Sequence, residues 1–209
     1  MEGKNNFKKV IQLFGDNFIG PDELCSIKDK LPLEVPSVMP LIHYSTELLE
    51  AKSEDYILIL TVPRFIDGTL VNIFNLRRHF GVNPDISEPC FYNQDWYLKE
   101  SFIMDPLELK WVLIRKNVFD DTRAVDPIVL TERFVLPKAI TCCYTFFVYN
   151  LIRGVSLWPY DFLWCSDVDH NGDRIYVGKY YDVDGVNKNG FSIHRHLSLR
   201  DCYAAIDSY

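Results

Sequence analysis

Apolar residues recur at helical spacing in several stretches of the first 85 residues. The spacing predicts four helices, over residues 7–14, 21–30, 44–52 and 70–80. The second helix has a proline at its first position, and Ser45 and Thr69 are the predicted N-caps of the third and fourth. Between the last two lies YILILTV, residues 56–62, a short apolar run bounded by an acid and a proline, which predicts a buried strand. We therefore expect a helix-rich α/β lobe over residues 1–85.

Later in the chain the pattern changes to strands around one strongly apolar helix. Residues 137–153 are apolar nearly all round the helix axis and are followed by Gly154, which is typical of a helix in the middle of a core. Residues 162–166 and 174–181 predict a hairpin, because Asn171-Gly172 between them is a strong hairpin turn. Further strands are predicted over 109–118 and 191–197.

Together these elements predict the α+β class: antiparallel β-hairpins packed around a buried central helix, with a helix-rich α/β N-terminal part. We expect an N-terminal lobe over residues 1–85 and a C-terminal α+β lobe over residues 86–209. The alternative is one continuous domain. A chain of 209 residues is long enough for either arrangement.

The charge balance and the cysteines narrow the function classes. The chain has 22 Lys and Arg against 29 Asp and Glu, a net charge of −7, and nucleic-acid phosphates attract the opposite balance, so a nucleic-acid partner is disfavoured. No apolar run approaches the ~18 residues that span a bilayer, and the first residues lack the apolar stretch of a signal peptide. With six cysteines and no CxxC pair, we expect a cytoplasmic protein with free thiols and no membrane partner.

An aromatic segment in the least periodic part of the chain, residues 82–108, is the predicted binding surface. Phe91, Tyr92, Trp96 and Tyr97 lie close together in sequence, and such rings are enriched at interface hot spots because they bury much area. The alternative is that the rings cover an edge of the core. The surface hypothesis implies a protein partner.

A short acidic pattern resembles half of a calcium loop. Asp167, Asp169 and Asn171, followed by Gly172, match the spacing at which three oxygen side chains point at the ion and a glycine allows the bend. The second half departs from the pattern, because Gly178 occupies the position of the bidentate glutamate. The alternative is an ordinary hairpin turn, since Asp and Asn favour turns for local reasons.

Two other short patterns suit metal ions. His194 and His196 would share one face of a strand, which suits a Zn²⁺ pair or an ordinary half-exposed strand. Glu108-Leu-Lys110 is similar to the E-x-K half of Mg²⁺-dependent nucleases, and a chain of this composition is expected to contain about one such tripeptide by chance. The cofactor prediction is therefore none, with Ca²⁺, Zn²⁺ or Mg²⁺ as the alternatives.

Two functions from different classes follow. The leading interpretation is a non-catalytic binding or interaction protein that uses the aromatic surface and the C-terminal hairpins. The alternative is a metal-dependent hydrolase, acting on phosphoesters, with four ligands: Asp167, Asp169, His194 and His196. An enzyme should gather several of these four side chains in one concave pocket, whereas a binding module should scatter them.

The segment SDVDHNGDRIYVGKYYDVDGV at 166–186, together with LKWVLIRKNV at 109–118 and NFIGPDEL at 17–24, resembles a group of uncharacterised bacterial proteins with a similar C-terminal ending. The resemblance covers most of the chain and implies a bacterial protein. It implies no activity, cofactor or catalytic residue.

Overall fold

The computed structural model describes residues 2–179, 190–195 and 199–209. Six α-helices are present in this part of the chain: α1 (Glu2–Phe14), α2 (Pro21–Ser26), α3 (Thr46–Lys52), α4 (Ile73–Phe80), α5 (Pro127–Arg133) and α6 (Ala139–Arg153). The described strands are β1 (Phe18–Ile19), β2 (Tyr56–Thr61), β3 (Lys110–Arg115), β4 (Phe162–Val168), β5 (Arg174–Gly178), β6 (Ser192–Arg195) and β7 (Tyr203–Ala204). They form two mixed sheets beside the helices, which confirms the α+β class.

The first sheet has the order β1-β2-β3 and places the predicted apolar strand at its centre. Strand β1 runs parallel to β2, and β2 runs antiparallel to β3 with Ile57 opposite Ile114. Every residue of β2 is buried, which explains why its sequence is continuously apolar rather than alternating. The last residue of the chain extends this sheet, because Leu113 and Tyr209 exchange backbone hydrogen bonds of 3.1 and 2.9 Å.

The second sheet has the order β6-β5-β4-β7. The hairpin of β4 and β5 is antiparallel and turns at the predicted Asn171-Gly172, where Gly172 has a φ of +87°. Such a φ lies in the left-handed region that glycine enters at no steric penalty. Strand β6 pairs antiparallel with β5, and β7 pairs parallel with β4.

Helix α6 lies between the two sheets. It packs against β2 of the first sheet and against β4 and β5 of the second, and the Tyr144 hydroxyl donates a 3.0 Å hydrogen bond to the Leu60 carbonyl. The helix ends at Gly154, whose φ of +71° is left-handed. The buried central helix expected from the sequence is therefore present.

Several predicted helix bounds need correction, among them the start of α1, which lies at Glu2 rather than at residue 7. Helix α4 begins at Ile73 rather than at residue 70, because the Asn72 side chain accepts a 2.8 Å hydrogen bond from the Asn75 amide and is the N-cap. Thr69 instead bonds to Asp67 through its amide and its hydroxyl. Helix α2 ends at Ser26 rather than at residue 30.

Helix α5 is absent from the prediction, although its start carries recognisable signals. The Asp126 carboxylate caps it with a 2.8 Å hydrogen bond from the Ile128 amide, and Pro127 occupies its first turn. Both features favour a helix start.

Buried residues from both sides of position 85 pack in one hydrophobic cluster. Phe80 of α4 stacks on Phe147 of α6 with ring centroids 4.0 Å apart. The division into residues 1–85 and 86–209 stays a prediction. None of the helices that the structure describes combines the length and the apolar character needed to cross a membrane.

Candidate functional site

The second sheet has two different faces. Leu163, Val177 and Ile193 belong to the core cluster around α6. The opposite face carries aromatic rings from neighbouring strands, in the pairs Trp164–Tyr176, Tyr176–His194 and Phe162–Tyr203. Because strand side chains alternate, one face is committed to the core and the other presents a row of rings.

Helix α5 and the segment after it cover part of this aromatic face. Leu130 and Leu136 pack in a second cluster with Trp164, Tyr176 and Tyr203. The Tyr176 and Tyr203 hydroxyls lie 3.1 Å apart, and their ring centroids lie 4.5 Å apart. This end of the face is therefore closed to solvent.

The remaining part of the aromatic face forms an open groove of about 930 Å³. Its rings are those of Tyr92, Tyr160, Phe162, His194 and Tyr203. Its polar side chains are those of Arg123, Asp161, Ser192, Arg200, Asp201 and Cys202. The volume lies within the ~300–1,000 Å³ of typical small-molecule sites, which also combine apolar walls with a few polar groups.

Arg123 joins the segments that surround the groove. Its Nε lies 3.1 Å from Asp120 Oδ1, its Nη1 lies 2.5 Å from Asp161 Oδ1, and the same Nη1 donates to the Asp201 carbonyl at 3.0 Å. Asp161, with its side chain only 15% exposed, is the main cause of the raised pKa of Arg123. The guanidinium therefore fixes the residue before β4 relative to the segment before β7.

His194 is the predicted metal ligand that does line the groove. Burial lowers the pKa of His194, and its Nδ1 lies 3.2 Å from Gln94 Nε2. The ring also stacks on Tyr176 at a centroid distance of 5.3 Å. A lowered pKa keeps the imidazole neutral near pH 7, because the reference value is about 6.5, so Nδ1 can accept the amide hydrogen of Gln94.

The thiol of Cys202 and the hydroxyl of Ser192, which line the groove with His194, are not activated as nucleophiles. Burial raises the pKa of Cys202, which keeps the thiol protonated. Ser192 Oγ donates a 3.4 Å hydrogen bond to the Gly190 carbonyl rather than to the imidazole. A nucleophile needs a base within hydrogen-bond reach, and the groove as described does not provide that pair.

The aromatic segment predicted as a binding surface is divided by the structure. Phe91 and Tyr97 have 0% exposure and belong to the core cluster, so the placement of these two rings on a surface is corrected. Trp96 is partly buried. Tyr92 is 37% exposed and lines the groove.

The burial of this segment has a physical reason in the edge of the second sheet. Among the described strands, β6 is an edge strand, and an uncovered edge exposes unpaired carbonyl groups. The Tyr92 amide donates to the Phe191 carbonyl at 2.9 Å, and the Trp96 indole donates to the Ile193 carbonyl at 3.0 Å. The segment therefore closes the edge of β6 and leaves only Tyr92 beside the groove.

The acids of the predicted calcium loop hold the fold together locally. Asp167 Oδ2 accepts a 2.6 Å hydrogen bond from the Ala139 amide at the start of α6. Asp169 Oδ1 accepts from the Asn171 and Asp173 amides at 2.9 and 2.8 Å. Asn171 itself is exposed in the turn. A carboxylate that accepts these amides stabilises a helix start or a turn.

A different cluster of possible ligands surrounds Asp169. Ligand atoms of Glu100, Asp169 and His170 lie within 4.8 Å of one another. The Glu100 carboxylate accepts from the His170 amide at 3.0 Å and lies 2.6 Å from His170 Nδ1, while Asp169 Oδ2 accepts from Arg195 at 3.1 Å. Each carboxylate therefore already has a partner within the protein. Sequence reasoning missed Glu100, because no local pattern signals a contact over 70 residues.

Asp169 and His194 lie on different faces of the second sheet. Arg195 reaches Asp169, and His194, one residue before it on β6, faces the groove. Consecutive strand residues point to opposite faces. The structure thus separates Asp169 from His194, Asp167 bonds to the start of α6, and His196 lies outside the described residues.

Comparisons with protein-family models, with curated proteins and with solved structures give no match for this chain. The fold and the groove therefore define its class. It is an α+β protein whose second sheet presents an aromatic face, closed at one end by α5 and open at the other as a groove of small-molecule size.

Proposed function

We propose that this protein is a non-catalytic binding protein that holds its ligand in the groove of the second sheet. The observation that carries the proposal is the groove itself, which combines about 930 Å³ with partly exposed rings and with fixed hydrogen-bonding groups. Concave sites of this size and mixed lining are the usual places for small ligands. Binding is thus assigned to the groove rather than to the buried rings of Phe91 and Tyr97.

The state of the groove side chains supports binding without catalysis. His194 pairs with Gln94, and the Cys202 thiol stays protonated. General base and nucleophilic catalysis need a titrating group within reach of the reacting atom. Ser192 Oγ bonds to the Gly190 carbonyl rather than to the His194 imidazole, which supports binding without an activated hydroxyl nucleophile.

The metal-dependent hydrolase alternative is less well supported by this geometry. It needs Asp167, Asp169 and His194 around one ion, but Asp167 caps α6 and Asp169 is bonded to Arg195. A metal ion at Asp169 would compete with that guanidinium for Oδ2 and with two backbone amides for Oδ1. We therefore expect no hydrolysis that depends on these residues.

A bacterial cytoplasm is part of the same proposal. All six cysteines are free. Three of them belong to the buried core cluster, Cys142 and Cys143 on α6 and Cys165 on β4. Buried free thiols suit a reducing compartment, where disulfides are rare.

The experiment tests binding and hydrolysis on the same samples of the full chain. Melting curves are recorded with neutral sugars, nucleotides, amino acids and simple phenols, and hydrolysis of bis(4-nitrophenyl) phosphate is followed with Mg²⁺, Ca²⁺ or Zn²⁺. We expect at least one ligand class to stabilise the wild type, by about 2.7 kcal/mol at a concentration near 100 Kd. Arg200→Ala should lose this stabilisation, and Arg78→Ala should keep it, because Arg78 is exposed and lies outside the groove.

Two results would overturn the proposal. The first is that no ligand class shifts the melting curve of the wild type. The second is metal-stimulated hydrolysis that Asp169→Asn abolishes in a variant that still melts cooperatively.

A further inference from the structure

The charged groups of the groove balance one another. Two arginines, Arg123 and Arg200, line the groove together with two aspartates, Asp161 and Asp201, and the His194 imidazole is neutral near pH 7. The described lining therefore has no net charge. The chain as a whole carries −7, which repels polyanions. A strongly charged ligand would meet an opposing group of its own sign in this groove.

The hydrogen-bonding groups come as adjacent donors and acceptors. Arg123 holds Asp161 at Oδ1, and among the described residues Asp161 Oδ2 remains as an acceptor beside a guanidinium. Arg200 and Asp201 place a second donor and a second acceptor side by side in sequence, and both line the groove. A hydroxyl group donates one hydrogen bond and accepts others. A ligand with several neighbouring hydroxyls therefore matches this lining better than a carboxylate or a phosphate, which only accepts at neutral pH.

The rings supply the third element of recognition. Tyr92 is 37% exposed and Tyr160 is 64% exposed, and both line the groove together with the partly exposed Phe162. The face of an aromatic ring carries partial negative charge and attracts positively polarised hydrogens. The C–H groups on one face of a pyranose ring are such hydrogens, while its hydroxyls point outward to the polar groups.

We propose that the groove binds a neutral sugar, either as a free saccharide or as the terminal residue of a glycan. The inference rests on the proposed function and names its ligand class. One face of the sugar ring packs on the exposed tyrosine rings, and its hydroxyls pair with the Arg123–Asp161 and Arg200–Asp201 groups.

The test titrates the full chain by calorimetry and by saturation-transfer NMR. The probes are glucose, galactose, mannose and N-acetylglucosamine, together with glucose 6-phosphate, glucuronic acid and AMP as charged counterparts. We expect at least one neutral sugar to bind and its charged derivative to bind at least about tenfold more weakly, a difference of about 1.4 kcal/mol. Methyl glycosides distinguish a free saccharide from the terminal residue of a glycan, because their anomeric hydroxyl is blocked. A site for a glycan end should bind them, whereas a free-sugar site that uses the anomeric hydroxyl should not.

Variants locate the site. Tyr92→Ala and Asp201→Asn change exposed groove residues and should each weaken sugar binding by about five- to tenfold, because the first removes a ring that packs on the sugar and the second removes a charged acceptor for its hydroxyls. Asp85→Asn is the matched control, because Asp85 is exposed and does not line the groove. Equal affinities for the wild type, the two groove variants and the control would overturn the assignment to this groove.

The remaining outcomes separate the inference from the function on which it rests. Binding of glucose 6-phosphate or AMP without binding of any neutral sugar would overturn the sugar inference and leave a binding groove in place. Absence of measurable binding for every probe would overturn the sugar inference as well. If the wider panel of nucleotides, amino acids and phenols also failed, the proposed function would fall with it.

Discussion

The ion pair between Arg123 and Asp161 offers the sharpest test of how the groove is held in shape. Arg123→Ala would remove the bonds to Asp120, to Asp161 and to the Asp201 carbonyl at once. Asp161, whose side chain is 15% exposed in the wild type, would lose its cation. Since that residue directly precedes β4, loosening it should disturb both the sheet and the groove.

The magnitude follows from the exposure of the pair. Exposed ion pairs contribute about 0.2–1 kcal/mol, and breaking fully buried ones costs about 3–5 kcal/mol. Arg123 is 34% exposed and Asp161 is 15% exposed, so an intermediate coupling energy of about 1–2 kcal/mol is expected. With the two further bonds of Arg123, Arg123→Ala should lower the free energy of unfolding by about 2–3 kcal/mol, or the melting temperature by about 5–10 °C.

The assay is a double-mutant cycle measured by urea unfolding, with Arg123→Ala, Asp161→Ala and the double variant. Lys9 and Glu50 supply the control pair, because their side chains are 65% and 52% exposed at a distance of 3.4 Å. Their cycle should give a coupling energy below about 0.5 kcal/mol. Equal coupling energies in the two cycles would refute the reasoning that burial makes the Arg123 pair a structural link.

Two further perturbations test the second sheet. Gly178→Ala should lower the free energy of unfolding by about 1–3 kcal/mol, because the added Cβ would lie 2.3 Å from the Asp161 carbonyl oxygen. Gly172→Ala is the control, because its Cβ meets open space although its φ is left-handed. In urea unfolding Gly178→Ala should destabilise more than Gly172→Ala, and a smaller effect would count against the clash. The pH dependence of stability tests His194, because burial lowers the pKa of its imidazole. As the pH falls below about 6.5, His194 gains a proton in the unfolded chain but stays neutral in the folded chain. Stability should therefore fall from about pH 7.5 towards pH 5, and His194→Gln should reduce that slope in urea midpoints taken across this range; identical slopes would contradict the buried neutral imidazole.

Local patterns predicted the parts of the fold that depend on neighbours in sequence. The apolar run of β2, the all-round apolar helix α6 and the Asn171-Gly172 turn each follow from side-chain period or from backbone preference. Ser45 caps α3 as predicted, because its hydroxyl accepts from an amide only three residues away. These features supported the α+β class without any knowledge of distant contacts.

The site depended on contacts between segments that are far apart in sequence. Arg123, Asp161 and Asp201 meet over separations of 38 and 78 residues, and no spacing rule reports such a meeting. The aromatic segment could be recognised by composition. Its packing along the edge of β6 places Phe91 in the core and Tyr92 at the groove, and this packing is a tertiary contact. The acids of the calcium-like pattern were equally ambiguous until their partners were known, because a carboxylate serves a turn, a helix start or an ion by the same oxygen chemistry. Sequence alone thus determined the class and most of the elements, whereas the packing of the second sheet determined which side chains share a cavity.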